Sequence, residues 1–246
     1  SGEILAMVSY PSFDSNIFNS DSRTSEYVQL LNDPSQPFIN RAIQTSYPPA
    51  STFKIVMSTA MLQEDAFPSE KEIECKGKMY YGGRIFNCHV HTGHGWVDLK
   101  NAMAQSCDVY YWTIGRDNLG ISKIASYAKE FGFGKKSGID LPNEKAGLVP
   151  TEEWKLKKFS EKWVGGDTMS VSIGQGFMEA TPLQLANMIA MVSNSGKIYK
   201  PHILKEVRNS SNEVIKTVKP EIIVESTIDD NVWKEIQEAL RYTVTD

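Results

Sequence analysis

The sequence predicts a mixed α/β chain, on three observations. Residues 180–195 and 227–241 carry helical spacing with helix-end signals. Residues 203–219 alternate apolar and polar side chains about a turn at Asn209-Ser-Ser-Asn-Glu213, the pattern of a hairpin. Residues 70–96, rich in Cys, Gly, Tyr and His, lack a helical period and read as short strands and turns.

Taken in order, residues 3–9 read as a buried strand closed by Tyr10-Pro11. Residues 11–50 are rich in Pro, Asn, Ser and Asp and read as a long irregular segment. Pro48-Pro49 predicts extended backbone before the next element. A helix follows from Ser51 to Glu64, with too many apolar residues for one stripe, hence well buried. A second helix is expected over 97–115, opening near Asp98 and closing at Gly115, and a third over 122–130 before a Gly-rich stretch. Residues 138–168 read as loop with a short helix near Trp154. Thr181-Pro182 opens the 180–195 helix and Gly196 follows it. Asp229 and Asp230 sit where they favour the positive N-terminal end of the last helix.

At 246 residues the chain allows one large domain or two small ones. The formal net charge of −4 argues against a nucleic-acid binder, which would carry a basic face. No apolar run approaches the roughly 18 residues of a membrane helix. The chain opens without Met, in what reads as mid-strand, and is expected to be a piece of a longer protein whose missing N-terminal part holds any membrane anchor.

Ser51-Thr-Phe-Lys54 is an S-x-x-K motif. On a helix, positions i and i+3 share a face, so the ammonium reaches the hydroxyl. A neutral lysine there can take the hydroxyl proton, and the helix N-terminus offers N–H groups to an oxyanion. The bland alternative is a helix cap beside a solvated lysine. The flanks separate the two. Tyr47-Pro-Pro-Ala-Ser-Thr-Phe-Lys54 resembles the nucleophile motif of penicillin-binding proteins, and Gln105-Ser-Cys-Asp108 resembles their second motif, with Asp where many relatives have Asn. Pro11-Ser-Phe-Asp14, Asn40-Arg41-Ala42, Gly93-His-Gly95, Gly138-Ile-Asp-Leu-Pro142, Gly174-Gln-Gly176 and Thr181-Pro-Leu-Gln-Leu-Ala186 resemble the elongation-type class B group, penicillin-binding protein 2. The likeness spans nearly the whole of 1–246.

What the resemblance implies is a serine β-lactamase/penicillin-binding-protein-like α/β fold. A central antiparallel sheet lies between helices, and an all-helical subdomain carries Ser106. It implies a peptidoglycan D,D-transpeptidase that cross-links stem peptides through a serine acyl-enzyme and is acylated by β-lactams. Ser51 is the nucleophile, Lys54 the base, Ser106 a proton relay and Asp108 the residue holding Lys54 or the substrate. A polytopic glycan polymerase is the implied partner, and the periplasmic face of the cytoplasmic membrane the implied location. A serine β-lactamase or β-lactam sensor is the alternative within the superfamily. The family's third motif, K-[ST]-G, matches Lys136-Ser-Gly138 in letters only, because Pro142 makes the adjoining Ile139-Asp-Leu-Pro142 a poor edge strand. With no other match before Asp246, the chain as written is expected not to be a competent enzyme, and a non-catalytic fragment or scaffold is the alternative from another class.

Cys75, Cys88, His94 and Cys107 are spaced C-x12-C-x5-H-x12-C. Three thiolates and an imidazole form a regular structural zinc set, so 75–107 is expected to be a metal-bound insert. A Cys75–Cys88 disulfide with Cys107 buried alone, or three plain thiols, are the alternatives. His89 or His91 could replace His94, which is preferred for its place in the Gly-His-Gly turn. No cofactor is required for the chemistry itself. A zinc hydrolase is disfavoured, since four protein ligands close the open position a catalytic zinc keeps. His202 reads as a surface or satisfied core histidine.

Overall fold

A computed structural model describes residues 1–19 and 23–245. A 3-10 turn, Ser15–Asn19, precedes α1 (Arg23–Leu31). Another, Ala50–Phe53, runs straight into α2 (Lys54–Gln63). Four short strands follow: β1 (Ile73–Cys75), β2 (Lys78–Tyr81), β3 (Arg84–Asn87) and β4 (Gly95–Val97). Then come α3 (Leu99–Ala104), α4 (Asp108–Thr113), a π-helical turn (Ile114–Leu119) and α5 (Gly120–Glu130). The rest is α6 (Glu152–Phe159), α7 (Gly165–Ser172), α8 (Pro182–Ser193), β5 (Lys197–Tyr199), β6 (Glu206–Arg208), β7 (Val214–Thr217), β8 (Ile222–Glu225) and α9 (Asp230–Thr245).

The strands pair antiparallel as β1 with β4, β2 with β3, β5 with β8 and β6 with β7. The helices carry the core. Every residue from Lys54 to Met61 is buried, so α2 is packed all round, as its composition predicts. It lies against α5, α9 and the π-helical turn. Trp233 of α9 packs on Phe131 at 5.7 Å between ring centroids. A smaller cluster of Ile43, Ile139 and Leu183 takes Ile4 and Met7 from the N-terminal segment.

Several expectations need correction. Residues 3–9 do not form a strand: Glu3 makes one parallel bridge with His202, and Leu5 and Val8 are exposed. The apolar letters are there, but no strand among the described residues runs beside 5–9 to accept a ladder. The 11–50 segment is not wholly irregular, for it contains α1, whose Tyr27, Val28 and Leu31 are exposed and give no buried stripe to recognise. Pro49 is helical (φ −66°, ψ −15°) rather than extended. The 97–115 helix is broken at 105–107, because Ser106 adopts φ +53°, and the chain then stays helical past Gly115. The 138–168 loop ends early, since α7 begins at Gly165, with the Asp167 carboxylate accepting from Val164 N at 2.9 Å. The β5–β8 pair is not among the expected elements. The 203–219 hairpin, α8 with Thr181 at its cap, and α9 fall where the sequence puts them. His202 is a satisfied core residue, its Nδ1 at 2.9 Å from the Leu204 carbonyl.

Candidate active site

The loop before Ser51 is tied to the far side of the chain. Tyr47 and Ala180 exchange two backbone hydrogen bonds of 2.9 Å, and Ala50 N donates to the Gly174 carbonyl at 2.9 Å. Gly174 has φ +67°, and a Cβ there would lie 2.2 Å from the Ala50 carbonyl oxygen, so the Gly174-Gln-Gly176 turn admits only glycine at that point. Ala50 itself sits at φ +50°, turning the chain into the helix and leaving Ser51 exposed at its start. One turn on, Lys54 is buried, with 3% of its side chain exposed.

Ser106 and Asp108 meet these two from the break between α3 and α4. The left-handed backbone at Ser106 reverses the chain, and Cys107 then caps α4 in an extended conformation. The Lys54 ammonium donates to three oxygens: the Ser106 carbonyl (2.7 Å), Ser106 Oγ (3.0 Å) and Asp108 Oδ1 (2.6 Å). That uses all three of its donors. Ser106 Oγ donates in turn to Ser51 Oγ at 2.8 Å. The four residues predicted as catalytic are thus one hydrogen-bonded chain, Ser51–Ser106–Lys54–Asp108. Ser106 does this from a chain break, not from the helix expected there.

Two neighbours escape a reading of the sequence. The Tyr111 ring lies 5.4 Å below the Lys54 ammonium, a cation–π contact, and its hydroxyl meets Ser58 Oγ at 2.8 Å. Burial drives the Tyr111 phenol upward, so it stays neutral. His89, expected only as a spare ligand, is half exposed with Nδ1 3.7 Å from the second Asp108 oxygen. Its position beside Cys88 is the one signal in the sequence that bears on it.

Behind Ser106, the ligand atoms of Cys75, Cys88, His94 and Cys107 lie within 4.8 Å of one another. His94 Nδ1 is 3.4 Å from Cys75 Sγ and 3.7 Å from Cys88 Sγ. All three cysteines are buried and free, so the disulfide alternative is not the one seen. His91 is exposed and outside this group. Burial, then the nearby Cys75 and Cys88, push the Cys107 thiol far up. Burial, then the charge of His89, hold His94 low, in the neutral form that ligates. Tetrahedral zinc–sulfur bonds of about 2.3 Å put sulfurs roughly 3.8 Å apart, and a sulfur and an imidazole nitrogen roughly 3.5 Å, so the donor set and its spacing fit zinc.

Lys136-Ser-Gly138 is not a strand. The buried Glu144 carboxylate accepts from Ser137 N (2.8 Å), Ser137 Oγ (2.5 Å) and Gly138 N (3.0 Å), which holds the stretch as irregular backbone. Among the described residues, no helix is long and apolar enough to cross a membrane.

Known proteins resemble the chain throughout. Peptidoglycan D,D-transpeptidase MrdA of Haemophilus influenzae is 39% identical over 209 residues, 84% of this chain and 32% of that one. The chain therefore spans about a third of the length of this curated relative. Penicillin-binding protein 2 of Pseudomonas aeruginosa, solved with WCK 5153, is 30% identical with a TM-score of 0.85, covering 98% of this chain and 54% of that one. A chain of a peptidoglycan synthase complex, solved to show how polymerization and crosslinking are coordinated, is 35% identical with a TM-score of 0.85, covering 100% of this chain and 40% of that one. These structures have the fold class the motifs imply. Residues 1–246 match the penicillin binding protein transpeptidase domain, and the chain belongs to that family.

Proposed function

We propose that this domain is the catalytic part of a peptidoglycan D,D-transpeptidase, with Ser51 as its nucleophile. The observation that carries the reading is the continuous hydrogen-bonded path from Ser51 through Ser106 to Lys54. As a neutral amine, Lys54 keeps Asp108 and the Ser106 carbonyl as acceptors and turns its lone pair to Ser106 Oγ. Ser51 then attacks the D-Ala–D-Ala carbonyl of a stem peptide, its proton passing to Ser106 while the Ser106 proton passes to Lys54. The return path delivers a proton to the departing D-Ala amine. An amine from a second stem peptide resolves the acyl-enzyme by the reverse steps. A β-lactam, which mimics D-Ala–D-Ala, acylates the same oxygen.

Intact mass with excess benzylpenicillin tests this in the polypeptide that carries the domain. One adduct is expected on wild-type protein and none on Ser51→Ala. A folded wild-type protein that takes no adduct overturns the reading.

Cys75, Cys88, His94 and Cys107 are the residues that would hold a structural zinc. The closed set leaves no place for substrate, so the ion would supply cross-linking of 75–94 to the start of α4 and no catalytic chemistry. Native mass spectrometry should show one zinc per chain, absent in Cys88→Ser, with a Tm that falls on chelation. Work on the outer face of the cytoplasmic membrane, beside a glycan polymerase, is the setting that fits. The similar synthase complex, which coordinates polymerization with crosslinking, supports that pairing.

A further inference from the structure

Asp108 and Tyr111 are three residues apart on α4 and so share one face of the helix. Both meet Lys54. Asp108 accepts one of its hydrogen bonds, and the Tyr111 ring lies under the ammonium, 5.4 Å from nitrogen to ring centre. One turn further along α2, Ser58 Oγ lies 2.8 Å from the Tyr111 hydroxyl and tethers the ring. Lys54, Ser58 and Tyr111 are all buried, and Tyr111 is only 1% exposed. Burial keeps the phenol neutral, so Lys54 meets a ring face and not a phenolate. Cation–π attraction is strongest where water is excluded, as it is here. The proton path Ser51–Ser106–Lys54 does not pass through Tyr111.

We propose that Tyr111 is a positioning residue that acts through Lys54, its ring stabilising the positive charge that arrives on the amine during acylation. The inference rests on Lys54 being the base for Ser51. In that step the bond from Ser51 Oγ to the attacked carbonyl carbon forms. The Ser51 proton moves to Ser106 Oγ, and the Ser106 proton moves to the lone pair of Lys54. The amine thus becomes an ammonium, and the balancing negative charge goes to the oxygen of the attacked carbonyl. A neutral amine gains little from a ring face, whereas an ammonium gains much. The contact is therefore stronger in the transition state than before it, which is the condition for raising a rate. The ring needs no reorganisation to do this, since Ser58 already holds it in place.

The experiment varies the charge on the ring face and little else. In the polypeptide that carries the domain, Tyr111→Phe sets the reference, and phenylalanines bearing one, two and three ring fluorines are placed at the same position by stop-codon suppression. Each fluorine draws electron density from the face while the ring keeps its shape. Benzylpenicillin acylation is measured over a range of concentrations, which separates the non-covalent affinity from the first-order acylation constant. It is read on the alkaline plateau of each variant, where the resting amine is neutral and only the transition state carries the charge. The expected result is an acylation constant that falls with each fluorine, by about tenfold over the series, with affinity and Tm level. Tyr111→Leu, which has no ring, should be slower than Tyr111→Phe. An acylation constant that stays level across the series overturns the proposal. So does one that falls only in step with affinity or Tm, the result of a packing role alone. If wild-type protein takes no penicillin, the transpeptidase reading fails and this inference fails with it.

Discussion

Lys54 is a buried cation whose three hydrogens all have acceptors, and Asp108 is the only carboxylate among them. Removing one partner of a buried ion pair strands the other. Asp108→Ala should therefore cost about 3 kcal/mol in urea unfolding, with Lys54 left facing two neutral oxygens. Asp108→Asn keeps an acceptor at the same place and should lose roughly half as much. Equal losses in the two variants would contradict this account. The letters of Ser51, Lys54, Ser106 and Asp108 are legible in the sequence because two short motifs carry them. The means of bringing them together is not. Ser106 at φ +53° and Ala50 at φ +50° are non-glycine residues in left-handed backbone, which nothing in their identity announces.

At the scale of elements, the π-helical turn after α4 meets α7 at Gly115. A Cβ there would lie 1.8 Å from Ser172 Oγ and 2.8 Å from Ser172 Cβ. Ser172 cannot yield easily, being fully buried with its hydroxyl donating to the Thr168 carbonyl at 2.7 Å. Gly115→Ala should destabilise by about 1–3 kcal/mol, and adding Ser172→Ala should recover part of it. Thermal unfolding of the single and double variants checks both statements. Gly115 reads in the sequence as a helix stop, and its real use, close helix approach, depends on a partner 57 residues away that local pattern cannot supply. Helices with capping signals, α8 and α9, and the β6–β7 hairpin are legible because their determinants are local. The 3–9 segment reads wrongly as a strand for the opposite reason, since a strand is made by its neighbour.

For the whole molecule, two carboxylates join distant parts of the chain and contribute to its response to acid. A hydrogen bond from Lys123, then one from the Tyr127 hydroxyl, hold Glu64 below the usual carboxylate range, tying α2 to α5. Burial alone would raise Asp140, but the Ile203 and Leu204 amides, each at 2.9 Å, outweigh it and bring it low. Both groups are more acidic folded than unfolded, so their stabilisation is complete above the unfolded value near 4 and is lost as pH falls through the folded one. The urea midpoint should hold level from neutrality to about pH 5 and then decline with acid. Glu64→Gln should flatten that decline. A midpoint that rises below pH 5 would refute the assignment.

Ser51 and Lys54 lie on one turn, whereas Ser106 and Asp108 reach them from 52 to 55 residues further along. No local stretch of the chain contains the reacting arrangement. Under the proposed function, a penicillin adduct on Ser51 would form in a refolding experiment only once the loop between α2 and α4 has closed. The adduct then works as a clock: the interval between recovered helicity and first labelling measures how long the two motifs take to find each other.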